Sequence, residues 1–167
     1  MLPHLAAAYN LARWLLRDDA AAEDAVQDAS LRAFRFFDAL QGPTPKAWFM
    51  AIVRNACMDR LGQRQRRGIE ESFDEAEHGA ALNAGRGNPS PEALAMQADD
   101  LRQLHAGLAA LSCDFREVLI LREMEELSYR EISAIVGVPI GTVMSRLSRG
   151  REQLARLLKE PVRRQSS

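Results

Sequence analysis

The chain has 167 residues with 22 Lys/Arg against 23 Asp/Glu, a formal net charge of −1, 47% hydrophobic and 27% charged residues. This composition is that of a soluble globular protein rather than a disordered or membrane one, and the length suits one ordinary domain or two small ones. No apolar run approaches the roughly 20 residues that span a bilayer, and the opening MLPHLAAAYNLARWLL lacks the charged start and cleavage site of a signal peptide. A cytoplasmic location without membrane insertion is therefore expected.

The near-zero charge hides a pattern. Residues 1–67 hold 10 Lys/Arg and 7 Asp/Glu, residues 68–99 hold 1 and 7, and residues 100–167 hold 11 and 9. Two mildly basic lobes thus flank an acidic connector, a distribution suited to polyanion binding at both ends.

In the N-lobe, 1–67, apolar positions three and four apart predict helices over 4–17 and 21–38, the second with a stripe of Val26, Ala29, Ala33 and Phe37. The sequence GPTP then interrupts the pattern. Thr44 is a candidate cap and Pro45 a candidate first residue of a helix running to about 66, because proline's missing N–H is unneeded there. On that helix Phe49, Ile52, Val53, Ala56 and Cys57 form the buried stripe, while Arg54 and Asn55 lie off it and Trp48 stands on a neighbouring face.

An aromatic near an amide, followed by RLGQRQRR with Arg64, Arg66 and Arg67, combines a base-stacking surface with phosphate-binding charge. Residue pattern alone leaves a second reading open, in which Trp48 is half-buried packing and the arginines are a solvated helix end. The stretch from Gly68 to Ser90 is acidic and rich in glycine, without periodicity, and is expected to be a linker.

The C-lobe, 91–160, opens with Ser90 as cap and Pro91 as first residue of a helix to about Ala110; Ser112 then caps a helix to about 125. In LSYREI, Ser128 and Glu131 form a capping box, with Leu127 and Ile132 as the staple around it. A short helix buries Ile132, Ile135 and Val136, and Gly137 supplies the positive φ of a tight turn. From Gly141 a further helix places Val143, Leu147 and Leu154 on one stripe and Thr142, Ser145, Arg146 and Arg149 largely off it. That is a helix-turn-helix whose second helix suits the major groove, where arginine pairs with guanine and small hydroxyls meet bases or phosphates. Residues 161–167 are expected to be a basic tail. No strand-like alternation occurs, so an all-α fold of two small helical domains is predicted.

Cys57 and Cys113 have no paired spacing and are read as apolar fillers. His4, His78 and His105 are scattered, so no metal site is expected. No nucleophile–base pair or phosphate-cradling glycine loop can be assembled either, which predicts no catalytic residue and no cofactor.

Three stretches, AEDAVQDASLRAFRFFDAL, KAWFMAIVRNACMDRL and LILREMEELSYREISAIVGVPIGTVMSRLSRGREQL, resemble in this order bacterial RNA polymerase sigma factors of the extracytoplasmic-function (ECF) group. The resemblance implies that the N-lobe is sigma region 2 and the C-lobe region 4, joined by a linker too short for a folded region 3. It implies that the second helix docks on the clamp helices of the polymerase's largest subunit through Asp24, Gln27, Asp28, Arg32 and Arg35. Region 4 would engage the flap region of the core enzyme.

Asn55 falls at the family's base-reading asparagine for the minus-ten promoter element, and DALQGPTP would help form a pocket for a flipped base. The final helix would read the minus-thirty-five element, with Met144 and Ser148 departing from the residues usual there. An anti-sigma factor is the further implied partner. Two other readings are a sigma mimic that titrates an anti-sigma factor, which would be expected to lose Asn55, Arg146 and Arg149, and a plain helix-turn-helix regulator, which leaves the N-lobe motifs unexplained.

Overall fold

The computed structural model describes residues 2–40, 42–68 and 90–159, so most of the acidic linker and the whole basic tail lie outside the described residues. Seven α-helices make up the fold, and no strand occurs among the described residues: α1 (Leu5–Leu16), α2 (Asp19–Arg35), α3 (Pro45–Arg67), α4 (Pro91–Ala110), α5 (Cys113–Leu119), α6 (Tyr129–Val136) and α7 (Ile140–Lys159).

The helices of the N-lobe begin and end where local chemistry dictates. Arg17 adopts φ 56° and closes α1 by donating its N–H to the Arg13 carbonyl, and the next residue, Asp18, caps α2 by accepting from Ala21 N. A left-handed residue followed at once by a cap turns the chain within one step, which lays α2 back along α1. The buried face of α2 is Ala22, Ala25, Val26, Ala29 and Ala33, almost all alanine, so its backbone can approach its neighbours closely. Thr44 caps α3 through Ala47 N, with Pro45 in its first turn. Phe49, Met50, Val53, Ala56 and Cys57 of α3 then complete one core with Leu11, Leu15 and Leu16 of α1.

The stripe expected to run on to Phe37 stops earlier. Helix α2 ends at Arg35, a 3-10 turn covers Phe37–Ala39, and Phe37 is 54% exposed. Ile52, expected in the core of α3, is only half-buried.

The C-lobe is organised around α5. Ser90 and Ser112 cap α4 and α5 as expected, and α5 passes directly into a π turn over Ile120–Met124, where Glu125 N reaches back five residues to the Ile120 carbonyl. Such turns wind one additional residue into a helix. Ser128 and Glu131 form the reciprocal capping box at the start of α6, with Leu127 and Ile132 both buried beside it. Gly137, at φ 76°, ends α6 and leads into α7. Gly150 lets α7 cross α5 closely: a Cβ there would stand 3.2 Å from Leu119 Cδ1 and 3.3 Å from Phe115 Cβ.

Arg116 is buried and ties these helix ends together. Its guanidinium donates to the carbonyls of Leu108, Ala109 and Leu111 at the end of α4 and to that of Trp14 in α1, at 2.9–3.2 Å. The last carbonyls of a helix have no partner within it, so a cation there satisfies groups that would otherwise be buried unpaired.

Replacing Ser128 by alanine leaves Glu131 N without its side-chain partner. Ser128→Ala is expected to lower the stability of the chain by about 1 kcal/mol in denaturant unfolding; an unchanged midpoint would show that the box contributes nothing.

Candidate nucleic-acid interface

Two concave sites collect most of the residues that sequence pattern singled out for DNA. The first lies on the N-lobe, where the 3-10 turn and the loop after it meet α3. It is a cleft of about 380 Å³ lined by Ala39, Gly42, Ala47, Trp48, Ala51, Ile52 and Asn55, together with Ala134 from α6. The capped start of α3 brings Trp48 and Asn55 to the same side two turns apart, Trp48 half-buried and Asn55 exposed. Gly42, at φ 125°, holds a backbone conformation that other residues rarely adopt, and a Cβ there would stand 3.9–4.0 Å from Trp48. An indole wall, an amide and small apolar residues form a slot suited to a planar heterocycle that both stacks and hydrogen-bonds.

The basic residues of α3 divide by role. Arg66 and Arg67 are exposed at its end. Arg64 donates to the Leu16 carbonyl at 3.1 Å and stands 3.5 Å from Asp18, so it also closes the end of α1. Arg54 is turned onto Glu117 of α5, with Nε to Oε2 at 3.0 Å and Nη2 to Oε1 at 3.2 Å. Sequence pattern alone did not reveal this last pairing, because the partners are 63 residues apart.

The second site is a cleft of about 420 Å³ between the start of α5 and the first turns of α7, lined by Ser112, Asp114, Phe115, Gly141, Thr142, Ser145, Arg146 and Arg149. All four groove-facing candidates meet there. Val143, Leu147 and Gly150 bury the opposite side of α7, which fixes the helix and leaves Ser145 and Arg149 exposed. Arg146 is held loosely by Asp114 at 3.9 Å. Met144 is 53% exposed on the same helix and has no packing role to explain it.

On α2, Asp24, Gln27, Asp28, Arg32 and Arg35 are all exposed, and Asp28 pairs with Arg60 at 2.6 Å. The surface around them is not merely polar. Leu31 is 63% exposed, Phe34 77% and Phe36 61%, continuing to Phe37. The helix therefore presents apolar as well as charged side chains to solvent on this face. Its sequence signal was present: Gln27, Leu31 and Phe34 follow a helical spacing of their own, opposite the alanine stripe.

The two lobes press against each other, α3 on α6 and α1 on α5. Besides Arg54 and Glu117, Thr44 Oγ1 donates to Glu131 Oε1 at 2.9 Å, Lys46 Nζ donates to the Glu125 carbonyl at 3.1 Å, and Asn10 Nδ2 donates to Glu125 Oε1 at 3.1 Å. Glu117 is fully buried; burial pushes its carboxyl above the ordinary value, against the opposing pull of Arg54. Burial acts on Glu131 in the same direction, but hydrogen bonds from Ser128 and Thr44 outweigh it and hold that carboxyl below its ordinary value. Cys57 is buried, which pushes its thiol up to about 12, and Cys113 is half-covered, as expected of packing residues. Among the described residues no His/Cys/Asp/Glu group could hold a metal ion, and no helix is long and apolar enough to cross a membrane.

These features define a two-lobed helical protein with a cleft on each lobe, one on a capped helix beside a glycine loop and one on a helix-turn-helix. Residues 2–67 match the family described as Sigma-70 region 2, and residues 101–154 match Sigma-70, region 4. The chain is 34% identical over 151 residues to the ECF RNA polymerase sigma factor SigE of Mycolicibacterium smegmatis, covering 90% of this chain and 57% of that protein. It is 34% identical over 145 residues to the ECF RNA polymerase sigma-E factor of Escherichia coli K12, covering 84% of this chain and 75% of that one.

Among solved structures, the sigma factor RpoE in complex with the anti-sigma factor NepR from Bartonella quintana superposes with a TM-score of 0.74 at 31% identity, over 95% of this chain and 94% of that one. CnrH in complex with the cytosolic domain of CnrY shares the fold at a TM-score of 0.64 and 22% identity, over 94% of this chain and 83% of that one. The chain belongs to the ECF group of RNA polymerase sigma factors, a family of transcription initiation factors.

Glu131 has a folded-state carboxyl below its ordinary value of about 4.3, so its contribution is complete above about that pH and is lost as the pH falls through the lower, folded value. The stability advantage of the wild-type chain over Glu131→Gln should therefore shrink on acidification from about pH 6 to about pH 3. A gap that stays constant across that range in denaturant unfolding would contradict the assignment.

Proposed function

We propose that this chain binds core RNA polymerase, directs it to specific promoters and helps to open the minus-ten element. The observation that carries this reading is the N-lobe cleft, which Trp48 and Asn55 both line. Drawing a base out of a duplex costs about a few kcal/mol, which stacking and hydrogen bonding in such a slot offset. Opening in this scheme consumes no ATP and uses no catalytic side chain.

Around that slot the roles divide by lobe. Asn55 reads the extruded base, Trp48 stacks against it or its neighbour, and Arg54, Arg64, Arg66 and Arg67 are the candidate contacts to the strand's phosphates. The α7 cleft reads the minus-thirty-five element as intact duplex, with Arg146 and Arg149 as base contacts and Thr142 and Ser145 toward bases or phosphates. The exposed face of α2, with Asp24, Gln27, Asp28, Arg32 and Arg35 around Leu31 and Phe34, docks on the clamp helices of the polymerase's largest subunit. Region 4 rests on the flap. Residues 1–67, 91–160 and the connector between them act as two modules on a tether, so that the second DNA contact is effectively intramolecular.

An anti-sigma factor is a further expected partner, as for the Bartonella quintana relative crystallised with NepR. A sigma mimic is disfavoured by the presence of Asn55, Arg146 and Arg149, and a plain regulator by the polymerase-docking face of α2.

Runoff transcription with purified core polymerase tests the whole reading. Asn55→Ala is expected to lose opening of the cognate promoter while retaining polymerase binding; wild-type opening by this variant would remove the minus-ten assignment. Arg149→Ala should weaken binding to minus-thirty-five duplex by about 1–3 kcal/mol if it reads a base. Affinity unchanged from wild type on every sequence would strike it from the contact list.

A further inference from the structure

The uncovered side of α7 is not uniform in chemistry. Successive residues of a helix stand about 100° apart, so Met144 and Arg146 flank Ser145 on opposite edges of the face that Val143, Leu147 and Gly150 leave uncovered. The edge of Arg146 and Arg149 is cationic and belongs to the cleft with Ser112 and Asp114. The other edge carries Ile140 and, four residues on and therefore beside it, Met144; they are 43% and 53% exposed.

The next cation along that second edge is turned elsewhere. Arg151 lies about two turns beyond Met144 on the same line, but its guanidinium is held by Glu123, with Nη2 to Oε1 at 2.7 Å and Nε to Oε1 at 2.9 Å. Between the two edges stand Ser145 and Ser148, both exposed and both too short to hold the helix away from a surface it approaches. The first turns of α7 thus offer arginine on one side and only an apolar pair on the other.

We propose that Met144, backed by Ile140, reads the C5-methyl group of a thymine in the minus-thirty-five duplex and so sets the base at one position of that element. This rests on the reading of α7 as the helix that enters the major groove. The first turns of such a helix meet base edges. On those edges the thymine methyl is the apolar group, whereas guanine, adenine and cytosine are distinguished by donors and acceptors. A thioether on an unbranched chain suits the contact, because it adapts to the position of a methyl and brings no donor that would be left unpaired.

The size of the effect follows from the chemistry. A methyl group withdrawn from water against Met144 contributes about fourfold in affinity, and a bidentate arginine contact to guanine contributes more. Met144 therefore refines a preference that the arginine edge dominates.

The test uses holoenzyme assembled from the full chain and core polymerase. Duplexes randomised through the promoter region are selected for binding. The most enriched duplex is then resynthesised with each thymine of its upstream enriched block replaced in turn by deoxyuridine, which removes the C5-methyl and leaves the base pair intact. Wild type is expected to lose about three- to fivefold in affinity at one of these thymines. Met144→Gln, similar in length but polar, is expected to bind the thymine and deoxyuridine duplexes equally at that position, and Met144→Leu to keep most of the difference.

An upstream block without a T·A pair, wild-type indifference to deoxyuridine at every position, or a Met144→Gln holoenzyme that still discriminates overturns the proposal. Failure of the underlying reading looks different: the wild-type holoenzyme then enriches no upstream block at all, and Arg149→Ala changes nothing.

Discussion

Two adjacent side chains on α5, Arg116 and Glu117, carry buried charge into the boundary between the lobes, and the arrangement of the molecule depends on how each is satisfied. Arg116 finds only neutral carbonyls, three from the end of α4 and one from α1. Glu117 finds a guanidinium from α3. A cation at helix C-termini and an anion clasped by an arginine are each tolerable out of water, where either alone would not be. The same short helix therefore fixes the internal geometry of the C-lobe and positions it against the N-lobe. Each residue reaches one partner on the N-lobe, so these polar contacts add to an apolar cluster that runs continuously through both lobes.

The range of such contacts separates what local sequence could reveal from what it could not. The caps at Thr44, Ser90, Ser112 and Ser128 were legible because each involves residues three apart, and helix starts are determined by such contacts. The set off the buried side of α7 was legible for a related reason: Val143 and Leu147 define that side, so Thr142, Ser145 and Arg149 have few other directions to point. Phe37 was misplaced because an apolar period can continue in sequence after the backbone has left the helix; the change to a 3-10 turn rotates it outward. Arg54 was placed correctly off the buried stripe, but its partner lies in another lobe and no periodicity encodes that distance.

The exposed apolar residues of α2 illustrate the opposite difficulty. Leu31 and Phe34 lie within the stretch that resembles the family, but on the face opposite the alanine stripe, where an apolar period no longer signals burial. Alanine on the inner face and leucine and phenylalanine on the outer one reverse the usual amphipathic order. The reversal fits an inner face that packs tightly against two helices and, in the proposed function, an outer face that receives the polymerase. It also explains why mean composition said little: an apolar residue kept for docking and one kept for the core count alike.

The π turn at Ile120–Met124 has a consequence for how such a chain can vary. Each residue of an α-helix advances the chain by about 100° around its axis, so the one additional residue wound in there sets the direction in which everything beyond it faces. Removing it would leave α6 with the same sequence and cap but aimed away from α3, and Asn10 and Lys46 would lose Glu125 together. Substitutions on either lobe can drift one at a time, whereas the count of residues between Arg116 and Ser128 cannot. Among relatives that close in this way, loops should lengthen and shorten everywhere except across that stretch.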